Sequence, residues 1–330
     1  MNVLVTGGGG FLGGAIVRSL IARGDTVRSL SRGDHPALRA SGVEQVRGDV
    51  ADPAAVQRAV EGCSLVFHVA AKAGIWGPYA DYYRSNVTGT RNVIAACRAC
   101  GVRRLVYTSS PSVVFDGRDM EGVDESVPYP RHYDAPYPAT KAEAERLVRA
   151  ANDAALATVA LRPHLIWGPG DTNLIPRIIA RARAGRLRRI GRRVNLVDST
   201  YIDDAATAHL SAADRLVPGS PIAGRVYFVS QGEPWPVWDL INRILQAAHL
   251  PPVTRTIAPT LALLAGAVCE TLAHALRLED EPPMTRFLAR ELSSAHWFNI
   301  AAARRDLGYQ PSVSIEAGME RLEQALRGPT

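Results

Sequence analysis

A chain of 330 residues, 47% hydrophobic and 21% charged, has the composition of an ordinary globular protein and can bury one large core or a nucleotide-binding domain with a smaller lobe. The formal charge of +6 raises nucleic acid as a partner, but the densest basic run, Arg181 to Arg193, has no aromatic residue interleaved to stack on bases, which argues against nucleic acid. Four scattered cysteines exclude a disulfide framework and fit a reducing cytoplasm; Cys97 and Cys100, a lone CxxC on a helical pattern, have no second ligand pair, so no metal is expected.

The first predicted strand, 2–6 (NVLVT), runs straight into glycines, a shape unlike a signal peptide. The stretch TGGGGFLG (6–13) then opens a predicted helix over 11–23. Gly7, Gly10 and Gly13 fall where a chain must turn tightly, approach a pyrophosphate and offer helix N–H groups to phosphates. Gly7, Gly10, Phe11, Leu12 and Gly13 are therefore candidate cofactor contacts. The second strand, 26–31, ends in Ser31-Arg32 and not in a carboxylate. A carboxylate there accepts from the ribose 2′-OH of NAD, whereas Arg32 with Ser31 suits the 2′-phosphate of NADP(H). NADP(H) is the expected cofactor. The third strand, 43–48, closes in RGDV, which puts Asp49 and Val50 on the adenine side.

A helix over 52–61, a strand over 65–70, a helix over about 80–100 and a strand over 104–109 follow. The last of these ends in VYTSSPS, so Ser109 and Ser110 stand at a carboxyl edge, where open α/β sheets bind ligands. The next helix, 138–154, begins beside Tyr137 and carries Lys141, four residues on and on the same face. A cation about 4 Å from the phenol, at an effective dielectric near 20, contributes on the order of 4 kcal/mol, or about three pK units. Lys141 is thus expected to lower the pKa of Tyr137 toward neutrality, while a serine hydroxyl holds a reacting carbonyl oxygen that Tyr137 protonates.

A strand over 158–163 completes the alternation, which predicts an α/β fold with a doubly wound parallel sheet. The pattern then loosens through WGPGDTN, a helix at 203–216, a strand at 225–230 and a mostly helical remainder. The expected division is a nucleotide-binding domain over 1–168, to which 194–216 returns, and a smaller, mostly helical substrate lobe from 169–193 and 217–330. The apolar run 257–278 is broken by Pro259, Glu270 and His274, so it predicts a buried or interfacial helix and no transmembrane segment. That run and Gly74–Tyr79 are the expected walls of a greasy pocket. The Arg181–Arg193 run reads as a solvated helix end, or as the reservoir of a cation for an anionic ligand.

Taken together, TGGGGFLG, HVAAKAG (68–74), NVTGTRNV (86–93), YTSS (107–110), YPATK (137–141), LRPHLIWGPGD (161–171) and STYIDDAATAH (199–209) resemble the extended short-chain dehydrogenases/reductases over nearly the whole length. The nearest branch is that of the 3β-hydroxysteroid dehydrogenases. The resemblance implies a Rossmann fold, Ser110 orienting the carbonyl, Tyr137 as general acid, and Lys141 on the nicotinamide ribose. It further implies Asn86 supporting the active-site helix, Ala70 and Ala71 on the adenine-ribose side, and Pro163 to Leu165 at the nicotinamide amide. Within the branch, AAKAGIWGPYADYYRSNVTGTRNVI and EPPMTRFLARELSSAHWFN look like bacterial reductases of long-chain 2-alkyl-3-oxoalkanoates in olefinic hydrocarbon biosynthesis. That likeness implies a lipid-like β-keto acid substrate, pairing into a homodimer through the helices at 80–100 and 138–154, and assembly with the β-lactone-forming and decarboxylating enzymes. Oxidation of a sterol 3β-hydroxyl, with or without decarboxylation, remains the alternative; sugar-nucleotide epimerisation and a non-catalytic NADPH-binding role stand further off.

Overall fold

The computed structural model describes residues 1–278 and 280–327; the last three residues of the expected lobe, and Glu279, lie outside them. Seven strands form one parallel sheet: β1 (Asn2–Thr6), β2 (Thr26–Ser31), β3 (Glu44–Arg47), β4 (Leu65–His68), β5 (Arg104–Thr108), β6 (Ala157–Pro163) and β7 (Val226–Val229). Their spatial order is β7-β6-β5-β4-β1-β2-β3. Every residue of β4, β6 and β7 is buried, which accounts for the unbroken apolar runs LVFH and VYFV. The winding reverses between β1 and β4, and that reversal opens a crevice at the carboxyl ends of the strands.

The crossovers are α1 (Phe11–Ala22), α2 (Pro36–Ala40), α3 (Pro53–Val60), α4 (Tyr79–Tyr82) continued by a wide π-helical turn (Tyr83–Thr88) into α5 (Gly89–Ala99), and α6 (Pro136–Ala150). Asp52 caps α3 by accepting from the Ala54 N–H at 3.0 Å, with Pro53 at the first helical position. Beyond β6 come α7 (Leu174–Arg183), α8 (Ile202–Arg215), α9 (Val237–Ala247), α10 (Pro259–Ala275), α11 (Arg286–Ser293), α12 (Ala301–Leu307) and α13 (Ile315–Arg327). Helix α8 lies against α1.

The segment 217–330, expected as lobe throughout, divides. Its strand β7 joins the main sheet, running parallel to β6 from Val226 opposite Ala160 to Val229 opposite Pro163, and α12 packs beside it. An all-buried VYFV needs neighbours on both faces and one edge, and β6 supplies the edge. The helix foreseen over 257–278 is α10, held at the surface of the lobe. Ala262, Gly266, Glu270 and Ala273 face inward, while Leu261, Leu264, Val268 and Leu272 are exposed. Gly266 is needed for this contact, since a Cβ there would lie 2.8 Å from the Arg286 nitrogen. Glu270 accepts from that backbone N–H at 2.7 Å and pairs with Arg286 Nε at 2.6 Å, so the charge that argued against a membrane span is an anchor. Among the described residues no helix is long and apolar enough to cross a membrane.

Candidate active site

The glycine turn is shaped by two close approaches. Gly7 adopts φ +73°, and a Cβ on Gly13 would sit 2.1 Å from the Gly7 carbonyl oxygen. Gly10 stands at the N-cap of α1 without a side-chain cap, so the first-turn N–H groups are left for an outside acceptor. They open onto a cavity of about 660 Å³ along the carboxyl edge of the sheet. Gly7, Gly10, Phe11, Leu12, Gly13, Ser31, Arg32, Asp49, Val50, Ala70, Ala71, Tyr137 and Lys141 all line it. Its size and its uncapped, glycine-lined end fit a dinucleotide.

At the far end, Ser31 Oγ donates to the Gly33 carbonyl at 3.0 Å, and the exposed Arg32 side chain stands at the rim. Asp49 is partly engaged: one oxygen accepts from the Ala51 N–H at 2.9 Å and the other pairs with Arg84 at 2.9 Å. His35, Lys72, Asp171 and Asn173 also line the cavity and were not foreseen, although Lys72 lies inside HVAAKAG.

A directed hydrogen-bond chain crosses the switch point. Thr6 Oγ1 accepts from the N–H groups of Val69 and Ala70, both at 3.1 Å, so its proton goes to His68 Nδ1 at 2.8 Å. His68 Nε2–H then donates to Thr90 Oγ1 at 2.9 Å, and Thr90 to the Asn86 carbonyl at 2.6 Å. Burial, reinforced by the Lys141 charge, pushes His68 down to about 3, so the ring is neutral. Asn86 sits in the π-helical turn. Its side chain accepts from the Lys72 N–H at 2.8 Å and donates to the Lys72 carbonyl and to Thr140 Oγ1 at 3.2 and 3.0 Å. It thereby ties α6 to the cavity wall without lining the cavity.

Tyr137 and Lys141 share the inner face of α6, and burial works on both. Lys141 Nζ donates to the Thr108 carbonyl at 2.5 Å and lies 4.2 Å from the Tyr107 ring centroid. Burial lowers its pKa to about 7. Burial raises the Tyr137 phenol to about 12, countered by the neighbouring Ser110 hydroxyl. Helical spacing puts both side chains on one face, but the lysine stem ends on the β5 carbonyl.

The two serines separate. Ser110 caps the short turn Pro111–Val114, its oxygen accepting from the Ser112 N–H at 3.2 Å, and its hydroxyl faces Tyr137. Ser109 lines the cavity and faces Glu145 without closing a full hydrogen bond. Glu145, one turn beyond Lys141, forms a buried fork with Arg162 on β6, Nε to Oε2 at 2.9 Å and a terminal nitrogen to Oε1 at 2.6 Å. The Tyr-x₃-Lys-x₃-Glu spacing was the signal available for it. Pro163 differs from expectation: it is buried, opposite Val229, and Ile166 lines the cavity in its place.

A second cavity, of about 210 Å³, is lined by residues of α7, α9 and α11. Of the expected greasy walls only Ile75 lines it; α10 does not. Of the basic run, Arg193 pairs with Asp119 and Glu121, and Arg181, which lines this second cavity, pairs with Glu281 at 3.0 Å.

A doubly wound sheet with an uncapped glycine turn at its switch point and a Ser–Tyr–Lys constellation at the same edge defines a dinucleotide-binding oxidoreductase scaffold. The chain belongs to the 3-beta hydroxysteroid dehydrogenase/isomerase family, whose pattern matches residues 4–259. It is 55% identical to the 2-alkyl-3-oxoalkanoate reductase of Stenotrophomonas maltophilia, over 98% of both chains. It is 48% identical to the protein of that name from Shewanella oneidensis, over 98% of this chain and 86% of the other. Among solved structures, MoeE5 in complex with UDP-glucose and NAD superposes with a TM-score of 0.75 at 26% identity, covering 99% of both chains.

Proposed function

We propose that the protein is an NADPH-dependent reductase that converts the C3 ketone of a long-chain 2-alkyl-3-oxoalkanoate to the 3-hydroxy acid. The observation that carries the reading is Tyr137: a phenol held protonated beside Ser110, lining a cavity that fits a nicotinamide dinucleotide. The two relatives at 55% and 48% identity support the substrate class. Gly7, Gly10, Phe11, Leu12 and Gly13 would hold the pyrophosphate, Ala70, Ala71, Asp49 and Val50 the adenosine, and Ser31 with Arg32 the 2′-phosphate. Bound there, the reduced nicotinamide supplies the hydride that reduction requires.

The remaining steps belong to the protein's own side chains. Ser110 orients the carbonyl oxygen, and Tyr137 donates its proton as negative charge develops there. Lys141, anchored on Thr108, takes a ribose hydroxyl, and Asn86 holds α6 in place through Thr140. Pro163, buried at the end of β6, acts by shaping the wall.

The test is NADPH loss at 340 nm with a synthetic long-chain 2-alkyl-3-keto acid, with NADH and a 3β-hydroxysterol run as comparators. Rapid loss with the keto acid is expected. NAD reduction by the sterol with no keto-acid turnover would overturn the substrate assignment and leave the site standing.

A further inference from the structure

We propose that the second cavity is a binding site for a single unbranched alkyl chain and that it makes the lobe select chains over fused-ring ligands. The inference rests on the reductase reading only for which chain-bearing substrate enters. The walls are aliphatic on three sides: Ile178 from α7, Leu240, Ile241 and Ile244 from α9, and Leu288 and Leu292 from α11. A partly open, largely apolar hollow of about 210 Å³ beside a ligand cleft suits an apolar occupant.

Its position identifies the occupant. The two cavities meet along three short stretches of chain: Ala73 lines the cofactor cavity and Ile75 the second, Ile166 the first and Leu165 the second, Asn173 the first and Leu174 the second. Leu165 achieves this division with φ +40°, a left-handed conformation that β-branched or bulky residues avoid. Such strain at the junction turns neighbouring side chains into different cavities. Glu291 links the two: it lines the second cavity and is close enough to Tyr137 for its charge to act on the phenol. A chain entering past Tyr137 therefore meets mainly aliphatic walls, with Arg177, Arg181 and His296 as the other polar residues of the lining and both arginines paired with Glu281.

Size then selects between ligand shapes. Compact ligands occupy pockets of about 300–1,000 Å³, and about 210 Å³ falls below that range. The isoleucine walls are stiff at χ1, so the cavity does not widen easily to accept fused rings. A chain, by contrast, fills a narrow cavity one methylene at a time, each strengthening binding about fourfold.

The test is equilibrium binding of cis-parinaric acid by fluorescence, with displacement by saturated fatty acids of increasing length and by cholesterol delivered in cyclodextrin. The wild-type protein is expected to bind the probe, to bind acids more tightly as they lengthen until the cavity is filled, and to ignore the sterol. Ile241→Trp, which fills the cavity, should weaken probe binding at least tenfold while NADPH binding and turnover of a short 3-oxo acid persist. Ile178→Phe, at a half-buried position, serves if the tryptophan variant fails to fold by circular dichroism. Unchanged probe affinity in the folded variants would overturn the site, as would a sterol that displaces the probe as well as a fatty acid does. Probe binding that responds to both variants in a protein that does not reduce keto acids would uphold the site and sink the reductase reading.

Discussion

Arg162→Met is expected to destabilise the protein by about 3–5 kcal/mol, the usual result of removing one partner of a buried ion pair. Both members are inaccessible, Arg162 at 1% and Glu145 at 0% exposure. Besides the two Arg162 bonds, Glu145 accepts from the Tyr129 hydroxyl at 2.5 Å. Burial alone would raise the Glu145 pKa; Arg162 overcomes it and holds the carboxyl below its ordinary value. In the wild type this depressed pKa contributes stability above the unfolded-state value, lost as pH falls through the folded one. In Arg162→Met the largest opposition to burial is gone and only the Ser109 and Tyr129 hydroxyls remain, so the folded pKa rises and the sign reverses: stability falls as pH climbs above about 4.3. The assay is urea unfolding at pH 5 and pH 8. The single variant should be weaker at pH 8, and Glu145→Gln combined with Arg162→Met should recover most of the loss because no uncompensated charge remains. A single-variant loss under about 1 kcal/mol, or a double variant no more stable than the single, would refute the reasoning. The pair fastens α6 to β6, so keto-acid turnover should fall in step with stability.

The other expectations bear on the site directly. Gly13→Ala places a Cβ 2.1 Å from the Gly7 oxygen; NADPH binding, followed by fluorescence, should weaken at least tenfold, and wild-type affinity would show that the turn yields. Arg32→Glu removes a charge-assisted bond worth about 1.5–3 kcal/mol, so the KM for NADPH should rise about 10- to 150-fold with NADH little changed; equal effects on both would sink the phosphate assignment. Tyr137→Phe should lower kcat about 10²- to 10⁴-fold with NADPH affinity kept, whereas surviving turnover would move the proton donor elsewhere. Lys141 has a folded pKa near 7 against an ordinary 10.5, so the unfolded chain binds the extra proton between those values. Stability should therefore rise with pH across that window, by up to about 1.4 kcal/mol per unit. Lys141→Met should flatten the slope, and an unchanged slope would mean the ammonium is better solvated than its burial implies.

The parts of the molecule governed by local rules were legible in the sequence. Strand–glycine–helix order located the turn at Gly7 to Gly13, and alternation gave the sheet, because tight turns and buried strands leave marks within a few residues. Contacts between distant segments left no such mark. Strand β7 follows more than sixty residues of other structure before it pairs with β6, and nothing near Val226 names that partner. The second cavity draws Ile75, Leu165, Leu240 and Leu288 from four separate stretches of chain. For Pro163, a strand end fixes which residues are near an edge but not which of them faces the cleft, and here Ile166 lines it while Pro163 is buried.

The Tyr137–Lys141 pair shows where spacing stops and environment takes over. A four-residue step specifies a shared face, and Coulomb's law then gives a depressed phenol only if the ammonium ends near it. Here the ammonium donates to the Thr108 carbonyl, and burial, which opposes whichever form carries charge, drives the two pKa values apart, the phenol up to about 12 and the ammonium down to about 7. That outcome still suits the proposed direction of reaction. Reduction of a ketone begins with a phenol that holds its proton and releases it to a developing alkoxide, a far stronger base. Oxidation of an alcohol begins with a phenolate, which this environment disfavours by about two pK units. A phenol that keeps its proton is matched to the reductive direction.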